Sequence, residues 1–158
     1  MKKLFGAALA AVMVFAFTTA PAVAGNYWAG WTKVYSLDMF PECGVNVLGA
    51  GGDDILQETV DVYCGVNPGG YVAYINPKMM NVYKKKGKKY PDGQVGVLVF
   101  EKIGAAFTTD IKGGKPIMDV KAIADGKSIA SKEKGHPLNP QTCFNCHETV
   151  QGGVCKKH

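Results

Sequence analysis

Between Gln94 and Ile103, Val95, Val97 and Val99 occupy every second position, the spacing that lines one face of a β-strand. This is the strongest β signal in the chain. Tyr71 to Ile75, rich in β-formers, predicts a second strand. Glu58 to Tyr63, where Val60 and Val62 flank Asp61, predicts a half-buried third. Pro116 to Ala124 predicts a further strand or a short helix, and Tyr27 to Met39 a short helix or extended segment ending near Pro41. Asn76-Pro77 has the form of a helix start, a capping side chain followed by proline at the first position. That helix should run through Met79, Met80 and Tyr83 and end by Gly87. Pro91-Asp92-Gly93 reads as a turn and Lys127 to Leu138 as a polar loop, with a final helix opening at about Pro140. Val45 to Asp54, with Gly49, Gly51 and Gly52, reads as a loop; it lacks the lysine and the strand–loop–helix setting of a phosphate-binding loop. The expected class is α+β, a mainly antiparallel sheet with a few helices, in a single domain.

The first residues stand apart from that domain. Lys2 and Lys3 precede an apolar run from Leu4 to Phe17, and Ala22-Val23-Ala24 supplies small residues at a cleavage site. This is the form of a signal peptide over residues 1–24, leaving 25–158 as the mature domain. The alternative, an uncleaved anchor, is disfavoured because spanning a bilayer takes roughly 20 apolar residues. The expectation is a periplasmic or secreted protein with no membrane span after cleavage. The 18 basic residues less Lys2 and Lys3 leave 16 against 13 acidic ones, or +3. Every one of those basic residues is lysine. So slight an excess, without arginine, does not suggest a nucleic-acid partner.

Five cysteines are an odd number, so disulfides alone cannot use them all. Cys143-Phe144-Asn145-Cys146-His147 is a complete C-x-x-C-H, the attachment signal for c-type haem. Two thiols one helical turn apart can each form a thioether to a vinyl group of one porphyrin. The adjacent imidazole then reaches the iron from the same side. Cys143 and Cys146 are thus the expected haem attachment points and His147 the proximal iron ligand, with one covalent haem c per chain. A thioredoxin-type pair would need a preceding βαβ pattern, and zinc would need a fuller set of about four ligands. Neither is present.

Tyr74-Ile75-Asn76-Pro77, Tyr90-Pro91-Asp92-Gly93-Gln94-Val95 and the late haem motif together resemble the cytochrome P-460 and cytochrome c′-beta family. The likeness runs from about Glu58 to Val150. It implies a mainly antiparallel sheet, one haem packed against it on a C-terminal helix, and a homo- or heterodimer. In the cytochrome P-460 branch, a lysine on the strand after the Asp-Gly turn is cross-linked to the porphyrin, and the enzymes oxidise hydroxylamine. The matching position here is Leu98, which disfavours that chemistry; a shifted alignment would bring in Lys102, on the same strand face by parity. The cytochrome c′-beta branch resembles a binder of nitric oxide or carbon monoxide, with an apolar distal pocket in which Leu98 is the candidate residue.

What faces His147 across the ring decides function. Met39, Met79, Met80 and Met118 are available, although Met79 and Met80 suit core filling; His136 and His158 suit solvent-exposed positions. Cys43 and Cys64 each begin the tetrapeptide Cys-Gly-Val-Asn. They may be read as a disulfide that leaves Cys155 over. Alternatively Cys64, or in second place Cys43, reaches the iron as a thiolate. A His/Cys pair would resemble the NaxLS-type cytochromes, which share this fold and form heterodimers. Lys84-Lys85-Lys86-Gly87-Lys88-Lys89 reads either as a solvated helix end or as a docking patch for an acidic redox partner or anionic lipid. Three functions follow in order: binding of a small gas ligand, in a setting of redox nitrogen metabolism; electron transfer through a six-coordinate haem; and hydroxylamine oxidation. With no acid/base pair or nucleophile in view, the protein is not expected to be an enzyme on grounds of its own residues.

Overall fold

The computed structural model describes residues 26–50, Gln57, Val60, Asp61, 63–85 and 89–141. Among the described residues, five strands form one sheet: β1 (Thr32–Leu37), β2 (Tyr71–Ile75), β3 (Gly93–Phe100), β4 (Ala105–Lys112) and β5 (Lys115–Ala122). Their order in space is their order in sequence, and every neighbouring pair is antiparallel. The sheet is thus an antiparallel meander with few helices, as the pattern predicts.

Local chemistry accounts for the connections. Asn76 caps the turn Pro77–Met79, its side chain accepting from the Lys78 backbone N–H at 3.0 Å, and helix α1 (Met80–Lys84) follows. Between β4 and β5 the tip is Gly113-Gly114, with φ of 60° and 73°. Both residues being left-handed marks the tight hairpin turn that glycine favours. The Asp92 carboxylate accepts from both tip N–H groups, at 2.8 and 3.0 Å, and so ties the turn before β3 to the hairpin.

Each face of the sheet has its own cover. On one, Tyr71, Phe100, Ala105, Phe107 and Val120 pack with Phe40, Val47, Val60 and Tyr63 from the segment between β1 and β2. Phe100 is the hub, with ring centroids at 5.3 Å from Tyr71, 5.4 Å from Phe107 and 5.7 Å from Tyr63. On the other, Val97, Val99 and Ala106 lie with Trp28, flanked by Tyr27 and Trp31. Val95 does not continue that row: past a register shift between Gln94 and Gly96 it joins Ile75, Met79, Tyr90 and Ile111.

One expectation changes. Gln57, Val60, Asp61 and Tyr63 are helical, not strand. Val60 and Tyr63, three apart on one helical face, are buried while Asp61 is exposed, so burial follows the helical period. The Gln57 side chain holds this segment to the preceding loop, accepting from the Val47 N–H and donating to the Val45 carbonyl. Tyr27 to Met39 divides into a turn and β1. The whole of β4 lies in a stretch where the sequence suggests no element.

Candidate functional site

The segment after β5 leads to the C-x-x-C-H sequence at Cys143 to His147. Ile129 N–H donates to the Val120 carbonyl at 2.7 Å, which lays the segment beside the sheet edge. It then folds on itself. Asn139 Nδ2 donates to the Glu133 carbonyl at 2.7 Å, and the Ser131 N–H donates to the Leu138 carbonyl at 2.9 Å. Ala130 and Leu138 pack against the aromatic core. Pro140 and Gln141 are helical, and Asn139 Oδ1 accepts from the Gln141 N–H at 2.9 Å. This repeats the Asn-Pro helix start of Asn76-Pro77, at the place expected for the final helix. An open cleft of about 870 Å³ lies here, lined by Ser128, Ala130, Lys132, Lys134, Asn139 and Pro140 among others. Cys143, Cys146 and His147 themselves lie outside the described residues, as do Cys155 and His158.

Leu98 sits mid-strand in β3, opposite Ala73 on β2 and Phe107 on β4. It is partly buried against the aromatic core, so its surroundings are apolar. Lys102 is not on that strand face. The strand ends at Phe100, and Lys102 lies in the following turn with its ammonium donating to Asn67 Oδ1 at 2.8 Å.

Cys43 and Cys64 form a disulfide. It joins the two Cys-Gly-Val-Asn segments and pins the cover of the aromatic core at two points. Each sulfur is engaged by the other, so an iron-ligand role for Cys64 or Cys43 would require this bond to be broken first. The methionines divide: Met79 is buried among Ile75, Tyr90 and Val95, Met80 is partly buried beside them, Met118 is half-buried on β5, and Met39 is 79% exposed. His136 Nδ1 accepts from the Leu138 N–H at 3.0 Å. That bond engages the Nδ1 lone pair within the loop itself.

One polar group escaped the sequence reading. On the tryptophan-covered face, Thr108 pairs with Asp119 across β4 and β5, close to Tyr27, Asp110 and Lys121. Burial raises the Asp110 carboxyl above the usual carboxylate range; Lys121 opposes this and Asp119 adds to it. Burial and the Asp110 carboxylate likewise push the Tyr27 phenol up. Asp119 Oδ1 accepts from the Ser128 hydroxyl at 2.6 Å. The signal that locates these residues is the β4 strand itself, which puts Thr108 and Asp110 on one face.

Comparison with protein-family models, with curated proteins and with solved structures gives no match to this chain.

Proposed function

We propose that the chain is an exported, periplasmic or secreted, monohaem c-type cytochrome of the cytochrome P-460 and c′-beta kind, and that it binds a small gas ligand such as nitric oxide. The observation that carries the reading is the C-x-x-C-H at Cys143 to His147, which follows closely on a helix start fixed by the Asn139 cap. In this reading the helix begun at Pro140 continues through the motif. Cys143 and Cys146 then bond one haem, and His147 holds its iron.

The described residues suit such a group. Just before the motif in sequence, the cleft combines the apolar surface of Ala130 and Pro140 with the cationic Lys132 and Lys134, a lining able to face both the hydrocarbon edge and the carboxylates of a haem. Haem iron supplies the site at which a diatomic ligand is bound. Leu98 offers an apolar neighbour with no proton to give and no amine to cross-link. Lys102, engaged by Asn67, lends no support to a P-460-type cross-link or to hydroxylamine oxidation. Of the candidate methionine ligands for an electron carrier, Met79 fills core and Met39 lies in solvent, whereas Met80 and Met118 are partly buried. A homo- or heterodimer, as the family resemblance implies, remains part of the proposal.

The test is expression in a host that matures c-type cytochromes, followed by intact mass and a pyridine haemochrome assay. One covalent haem per chain is expected, lost when Cys143 and Cys146 are both changed to Ala. The ferrous protein should then show a spectral change with nitric oxide. A haem-free mature chain would sink the cytochrome reading. A covalent haem indifferent to nitric oxide would leave an electron carrier.

A further inference from the structure

The sequence shows a lysine run at 84–89; the fold gathers further lysines around it. β2 ends, β3 begins and the β4–β5 hairpin turns at the same end of the sheet. Lys78, Lys84, Lys85 and Lys89 stand there on the segments joining β2 to β3, and Lys112 and Lys115 flank the hairpin tip; all are exposed. Lys33, near the start of β1, is exposed at the same end. Lys112 and Lys115 are direct cross-strand partners. Like charges opposite each other weaken a hairpin, so stability does not account for the pair. The exposed carboxylate at this end, Asp92, is turned onto the Gly113 and Gly114 N–H groups.

The opposite end is mixed. Asp38, Glu101 and Asp125 are exposed there, but so are Lys102, in the same turn as Glu101, and Lys127, paired with Asp125 at 3.2 Å. Unopposed positive charge is therefore concentrated at one end of the described sheet. Such an asymmetry orients a molecule as it approaches an oppositely charged surface.

We propose that the lysine end of the sheet is a docking surface for an acidic protein partner. Two observations favour protein carboxylates over a lipid surface. Met39, Val45, Leu48 and Val66, exposed apolar side chains suited to entering a lipid boundary, belong to the segments around the disulfide. Near the lysines only Ile117 is comparable among the described residues. A basic patch without an apolar anchor holds a membrane weakly, whereas it suits a fast, salt-sensitive protein encounter.

The proposal does not depend on haem. It is tested with the mature full-length protein and a labelled polyglutamate peptide, by fluorescence anisotropy at low ionic strength. One variant carries Lys84→Gln, Lys85→Gln, Lys112→Gln and Lys115→Gln. A second, with the same change in net charge, carries Lys102→Gln, Lys127→Gln, Lys132→Gln and Lys134→Gln. Thermal melts establish that both are folded. The expected result is binding that weakens with salt, falls at least about tenfold in the first variant and less than about twofold in the second. Equal losses in the two variants would overturn the proposal by reducing it to net charge. Tighter binding to phosphatidylglycerol-containing vesicles than to polyglutamate, lost in the first variant, would overturn it in favour of a membrane surface.

Discussion

Asp92 and Asp110 are shifted in opposite directions, and stability against pH separates them. Asp92 is lowered by the Gly113 and Gly114 N–H groups that it accepts from. In the acid range the unfolded chain takes up a proton there before the folded one does. The stability it contributes is therefore present above the unfolded value, about 3.9, and is lost as pH falls through the lower folded value. Asp110 is raised by burial, so the unfolded chain loses its proton first, and stability falls as pH rises from about 3.9 to the folded value. Two variants follow. Asp92→Asn is expected to be less stable than the parent at pH 7 and nearly equal to it in strong acid. Asp110→Asn is expected to be more stable at pH 7, with its advantage gone in strong acid. Urea midpoints at the two pH values decide both, and Asp110→Asn less stable at pH 7 would mean that its charge contributes to the fold.

β1 is held to β2 across a close backbone approach at Gly70, where an added Cβ would stand 2.3 Å from the Leu37 carbonyl oxygen and 2.5 Å from that of Asp38. Both neighbours are backbone and cannot swing aside. Gly70→Ala should therefore push the end of β1 from the sheet and cost about 1–3 kcal/mol, the range for forced overpacking. A urea midpoint unchanged from the parent would show that the strand yields freely. The same strands show what sequence can reveal. β3 was legible because its valines alternate, and the Asn76 cap because it is local chemistry. β4 was not: Ala105 to Thr108 are four consecutive buried residues, covered on both faces, so no alternation exists to read. The Gly113-Gly114 hairpin turn would have betrayed its end. Around Val60 the window was too short, since Val60 with Val62 has a strand's period and Val60 with Tyr63 a helix's. Contact with Phe40 and Phe100 across the core settles it for the helix. The C-x-x-C-H at Cys143 to His147 is legible for another reason: the haem attachment proposed for it requires that spacing. Nothing so local fixes which residue would face the iron or which cysteines pair.

The Cys43–Cys64 bond links that unread part of the site to the stability of the entire chain. It closes a loop with a sequence separation of 21 residues, and this loop carries Val47, Val60 and Tyr63 onto the sheet. A cross-link of this span restricts the unfolded chain by about 3 kcal/mol, on the chain-entropy account. Changing both cysteines to Ala should lower the melting temperature by about 10 °C while leaving the sheet in place. If the proposed haem is attached, the same change separates the two readings of Cys64. If the disulfide is purely structural, the paired Ala variant should keep the ferric and ferrous spectra of the parent and its response to nitric oxide. Mild thiol reduction of the parent should lower stability and likewise leave the spectra alone. If Cys64 is instead an iron ligand awaiting release, reduction should produce a low-spin thiolate signature in electron paramagnetic resonance. That signature should be absent from the Cys64→Ala variant and retained in the Cys43→Ala variant. The comparison turns on the cysteine pair alone, because no variant changes Leu98, Phe107 or Ala73. A spectrum that follows the disulfide would make the cover of the aromatic core part of the haem chemistry; one that ignores it would confine that chemistry to His147 and the apolar face around Leu98.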